Sequence, residues 1–177
     1  MIKKIVCSVV VGILLVSNAL AVELNVPLYG QEKSNWCWVA SSRMVASYKG
    51  YSSKTQTQIC TYVKGGVVND TGSIAEVADA IFYASNGNLH ISTATAAQFP
   101  LANIKGAIDK SNPVTALVNK NGSGHYYVIR GYNGSTLLLN DPLPLNSGKK
   151  VSCTYTAFCD GSWSGDSRPY AYACHIT

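Results

Sequence analysis

Two periodicities divide this chain near residue 112. Up to about Lys110 the apolar residues recur at helical spacing. From Val114 onward they come as short β-branched and aromatic runs separated by glycine and asparagine. The first part predicts a helix from Trp36 to about Tyr48, capped by Asn35 or Ser34 and stopped at Gly50. A shorter helix from Gln56 to Val63 ends at Gly65-Gly66. Ser73-Ile74-Ala75-Glu76 is a capping-box pattern opening a helix to about Ser85, and Phe99 to Lys110 reads as a helix with Pro100 in its first turn. Leu89 to Ser92 reads as a short strand. Strands are then expected over Val114–Asn119, His125–Tyr132, Thr136–Asn140, Lys149–Tyr155 and Tyr170–Ile176. Tight turns at Asn121–Gly124 and Asn133-Gly134 make neighbouring strands antiparallel. The fold class is α+β, with a helical half built round a central helix and packed on an antiparallel sheet half.

The beginning of the chain reads differently. Met1-Ile2-Lys3-Lys4 is a short positive region, Ile5 to Val16 is apolar, and Ala19-Leu20-Ala21 is a small-x-small cleavage site. An apolar run of about a dozen residues suits a signal peptide and is too short to span a membrane. Residues 1–21 are therefore expected to be a signal peptide, and 22–177 a single domain in a secreted or periplasmic protein. Without Lys3 and Lys4 the 14 basic residues become 12 against 9 acidic, a net of +3. No basic run is long enough to hold a phosphate backbone, which argues against nucleic acid as a partner.

Export gives the cysteines weight, because oxidising compartments favour pairing. Setting Cys7 aside with the leader leaves Cys37, Cys60, Cys153, Cys159 and Cys174, an odd number. Cys37 is the natural free thiol. The other four are expected to form two bridges, Cys153–Cys159 closing a short loop and Cys60–Cys174 tying the end of the chain to the helical half. No C-x2-C pair or suitably spaced histidine suggests zinc, and no metal or organic cofactor is implied.

Cys37 stands at the start of the first helix, where the backbone dipole favours an anion. A thiol with a pKa near 8.5 is mostly protonated at neutral pH, and an imidazolium nearby favours the thiolate nucleophile. Gly124-His125 opens a strand after a glycine-rich turn, placing His125 to act as that base. Asp141 follows sixteen positions later at the end of the paired strand, where it can orient the imidazole. Asn140 is the alternative, and strand alternation allows only one of them. Gln31, six positions before Cys37, can donate to an oxyanion beside the Cys37 N–H.

Gln31 followed by Cys37-Trp38 and Ala40-Ser41 resembles the nucleophile segment of papain-like cysteine proteases. Asn112-Pro113-Val114, Gly124-His125-Tyr126-Tyr127-Val128-Ile129 and Leu139-Asn140-Asp141-Pro142 resemble the compact bacterial branch, which includes bacteriocin-processing peptidase domains and papain-like effector proteases. The effector group also has stretches like Val26-Pro27-Leu28-Tyr29 and Gln58-Ile59-Cys60. The resemblance implies Cys37 as nucleophile, His125 as base, Asp141 as orienting group and Gln31 in the oxyanion hole. It departs from papain in favouring aspartate over asparagine as the third member. The expected protein is an exported, monomeric cysteine endopeptidase that acts on protein or peptide through a covalent acyl-enzyme and is not inserted in the membrane once its signal is cleaved. The competing readings are a peptidoglycan stem-peptide amidase or transpeptidase, and a catalytically silent papain-like binding module.

Overall fold

The computed structural model describes residues 21–95, 98–120, 123–162 and 170–176, the last stretch by its backbone. The expected leader, apart from Ala21, lies outside the described residues. None of the described helices is long and apolar enough to cross a membrane. In chain order the elements are β1 (Val22–Glu23), α1 (Cys37–Tyr48), α2 (Gln56–Lys64), α3 (Ile74–Ala84), β2 (Ile91–Thr95), α4 (Leu101–Asp109), β3 (Val114–Lys120), β4 (Ser123–Asn133), β5 (Thr136–Asp141), β6 (Lys149–Thr154), α5 (Tyr155–Asp160) and β7 (Tyr170–Ile176).

The strands form one antiparallel sheet in the order β2-β7-β3-β4-β5-β6, with β1 paired to the far end of β4. Gly131 makes room for β1, since a Cβ there would lie 2.4 Å from the Val22 carbonyl oxygen. The register slips between Ile129 and Gly131 on β4, a bulge at the end of the strand where β1 pairs.

Helix α1 is central because its sequence lets it be buried on several sides. Val39, Met44 and Val45 fill space, while Ala40, Ser41, Ser42 and Ala46 let neighbours approach. It packs against α3 on one side and β4 on the other. Ser42 satisfies its hydroxyl on the Trp38 carbonyl one turn back (2.8 Å). Capping boxes fix α2 and α3 in position. Thr55 and Gln58 bond reciprocally, as do Ser73 and Glu76. The Gln58-Ile59-Cys60 stretch is thus a helix start followed by two buried residues.

Three expectations are corrected. Helix α1 takes Trp36 as its N-cap, with no side-chain cap, because Ser34 and Asn35 are both bonded to Asn69. The segment after β6 turns into a short helix, α5, whose first turn is capped by Thr154 and which ends at Gly161 with φ +76°. The two expected disulfides are not formed, since Cys60, Cys153 and Cys159 are free thiols, as Cys37 is. The Cys60 Sγ is turned into the α2–α3 loop, 3.5 and 3.4 Å from the Gly66 and Val68 carbonyl oxygens. Cys174, its expected partner, is described only as a strand position on β7, opposite Ala94 and Thr115. Cys159 is engaged by the Tyr155 hydroxyl, and Cys153 is buried on β6, where burial first and then Cys159 push its thiol up to about 12.

Candidate active site

The helix N-terminus and the sheet meet at a cleft of about 160 Å3. Cys37 contributes the first residue of α1 and is 6% exposed; His125 comes from the start of β4 and is 7% exposed. The register explains why Asp141 joins them. Val128 pairs with Asn140, so Asp141 falls opposite Tyr127, on the face that His125 shares two residues earlier. His125 Nε2 and Asp141 Oδ1 are 2.8 Å apart. The remaining ring nitrogen, Nδ1, is left for Cys37, whose side chain also bonds the ring. The Tyr127 ring braces the imidazole edge-on at 4.6 Å.

Asn140 goes to the opposite face. Its amide nitrogen donates to the Val26 carbonyl (3.2 Å) and lies near the Pro27 carbonyl and Met44 Sδ. That commitment removes it from the His125 side and ties the N-terminal segment to the core.

Burial works against the charged imidazole of His125. The bonds to Asp141 and Cys37 outweigh it and hold the ring up to about 9. His125 therefore stays protonated across neutral pH beside the Cys37 side chain. Lys149 Nζ stands 3.6 Å from Asp141 Oδ2, but it is 56% exposed and adds little.

Gln31 is fully buried and held at both backbone atoms. Its N–H donates to the Pro142 carbonyl and its own carbonyl accepts from Asn146, both at 2.9 Å. Its Nε2 donates to the Lys33 and Ser34 carbonyls (2.8 and 2.7 Å), while Oε1 is buried without a partner. The side chain thus clamps the turn that delivers Cys37, with the amide nitrogen already engaged by that turn.

The sequence reading did not single out the opposite wall, the loop 65–72. Trp36 Nε1 donates to the Val68 carbonyl (2.6 Å) and Trp38 Nε1 to the Asp70 carbonyl (2.9 Å). Asn35 bonds Asn69 through backbone and side chain, and the Tyr126 hydroxyl reaches the Gly72 carbonyl. Gly72 lies so close to Trp38 that a Cβ would be 2.5 Å from the indole. Thr71 thereby becomes part of the cleft lining. The signal was present in the sequence: two buried indoles flanking Cys37 each need an acceptor.

An α+β fold with a cysteine on a central helix, and histidine and aspartate on an antiparallel sheet across a cleft, is that of a papain-like cysteine peptidase. The chain belongs to the Peptidase_C39 like family, whose model matches residues 23–169. Among solved structures it is similar to one named as a C39-like peptidase from Bacillus anthracis, with a TM-score of 0.61 and 16% identity over 89% of this chain and 98% of that one. It is also similar to the peptidase domain of Streptococcus ComA, a bifunctional ABC transporter involved in quorum sensing (TM-score 0.60, 15% identity, 86% and 98% covered). A third similar structure is a double glycine motif protease from an AMS/PCAT transporter in complex with the leader peptide (TM-score 0.57, 22% identity, 87% and 92% covered). No curated protein matches the chain.

Proposed function

We propose that this chain is an exported cysteine endopeptidase that hydrolyses peptide bonds through Cys37, His125 and Asp141. The observation that carries the reading is the buried His125, bonded to Asp141 at 2.8 Å through Nε2 and bonded also by the Cys37 side chain. The Cys37 thiolate attacks the scissile carbonyl carbon, and its electron pair moves onto the carbonyl oxygen. The N–H groups at the start of α1 stabilise that oxyanion, while the Gln31 amide, spent on the Lys33 and Ser34 carbonyls, holds the turn that presents them. When the tetrahedral species collapses, the His125 imidazolium gives its proton to the leaving amine, and a thioester to Cys37 remains. Water, deprotonated by His125, then attacks the thioester and frees the acid and the thiol. Asp141 keeps Nε2–H in place throughout, so that Nδ1 faces the sulfur.

Peptide is the substrate class this site suits, and the similar double glycine motif protease was solved with a leader peptide. Export rests on the positive start, the apolar run and the small-x-small stretch of residues 1–21. Digestion of an unstructured protein, followed by mass spectrometry of the fragments, tests the function. Discrete internal cuts that vanish in Cys37→Ala and His125→Ala are expected. Intact substrate with the wild-type chain, or equal cutting by Cys37→Ala, would refute the peptidase reading.

A further inference from the structure

The two walls of the cleft differ in character. Ser34, Asn35 and Thr71 make one side polar, whereas Leu143 beside His125 is the apolar side chain of the other. Leu143 is 38% exposed and Leu145, two residues on, is 46% exposed. Leu143 thus presents part of an aliphatic side chain to water in the cleft that holds Cys37 and His125.

The segment carrying them is fixed in place. The Leu143 N–H donates to Asp141 Oδ1 (2.9 Å), the same oxygen that bonds His125. The Gly148 N–H closes on the Pro144 carbonyl at 2.8 Å. Residues 142–146 are bolted to Gln31 by two backbone bonds. Gly30 packs so tightly that a Cβ would be 2.1 Å from the Ser147 nitrogen. One carboxylate oxygen thus sets both the ring that moves the proton and the wall beside it.

The chemistry says which part of a substrate meets that wall. The acyl carbon must lie at Cys37 Sγ, and the leaving amine must lie where His125 can protonate it. Substrate on the leaving-group side therefore runs along the His125 wall, past Leu143. We propose that Leu143 is a specificity-determining residue that selects a branched aliphatic side chain in the first substrate residue after the scissile bond. This deepens the peptidase reading and rests on it for cleavage, though not for binding.

The test uses a peptide that the digest shows to be cut, made as a quenched pair with leucine or aspartate after the scissile bond. Wild type should favour leucine by about tenfold in kcat/KM. Leu143→Ala should bring the ratio close to one, and Leu143→Lys should favour aspartate. A second readout needs no turnover. Short peptides beginning with leucine, which mimic the leaving-group product, should slow Cys37 alkylation by iodoacetamide in wild type and not in Leu143→Ala, and those beginning with aspartate should not. Protection that depends on Leu143 without any cleavage would sustain the subsite and remove the peptidase reading. Cleavage with the same leucine-to-aspartate ratio in all three proteins, and no protection by either peptide, would overturn the subsite and leave the peptidase reading intact.

Discussion

Replacing Asp141 with alanine should cost stability in a way that depends on pH, and the structure gives the size and sign. His125 is raised from 6.5 to about 9 by its partners against the penalty of burial. A rise of that size favours the charged ring by about 3 kcal/mol, shared between Asp141 and Cys37. Because the folded-state value lies above the unfolded one, this contribution is fully present below about pH 6.5 and is lost as pH climbs through about 9. Asp141 Oδ1 also accepts from His125 Nε2 and the Leu143 N–H. Leaving those donors unpaired costs about 1–3 kcal/mol, largely independent of pH. Asp141→Ala should therefore fall about 3 kcal/mol below wild type at pH 6, and the gap should shrink by roughly half at pH 10. Asp141→Asn keeps an acceptor without the charge, so it should lose the pH-dependent part and retain most of the remainder. Urea denaturation of the three proteins at pH 6, 8 and 10 measures this. A gap that stays constant or widens toward pH 10 would refute the argument that Asp141 supports a charged His125.

Three further outcomes are expected. Gln31→Ala removes the two donors to the Lys33 and Ser34 carbonyls and should cost about 1–3 kcal/mol in urea denaturation; unchanged stability with a fall in kcat of about a hundredfold would instead make the amide an oxyanion donor. Trp38→Phe removes the donor to the Asp70 carbonyl; KM should rise severalfold with the rate of Cys37 alkylation unchanged, and an unaltered KM would show that the 65–72 wall does not need it. Ser73→Ala, which removes the α3 cap bond to Glu76, should cost about 1 kcal/mol in denaturation without touching peptide cleavage.

What the sequence revealed depended on whether the deciding interactions were local. Helix α3 was legible because Ser73 and Glu76 write both halves of a capping box within four residues. The meeting of His125 with Asp141 was legible because hairpin strands bring their ends together and alternation separates Asp141 from Asn140. The N-cap of α1 was misread because Asn69, 34 positions from Asn35, consumes the residues that would have capped it. Helix α5 was missed because six residues carry too little periodicity to announce a helix, and Thr154 and Gly161 alone mark its ends. The cysteine pairing went astray because counting thiols ignores what each one touches. Cys60 faces loop carbonyls and Cys159 faces Tyr155, neither of which parity can show. The tryptophan bonds that hold the 65–72 wall span 32 positions and were invisible for the same reason.

The central claim is that Cys37 is a nucleophile held by His125. Brief treatment of the wild-type chain with iodoacetamide near pH 6, followed by mass spectrometry, tests it most directly. The account predicts one rapid adduct, on Cys37, with Cys60, Cys153 and Cys159 unmodified on that timescale and the adduct lost in His125→Ala. An unmodified Cys37, or equal labelling with and without His125, would contradict it.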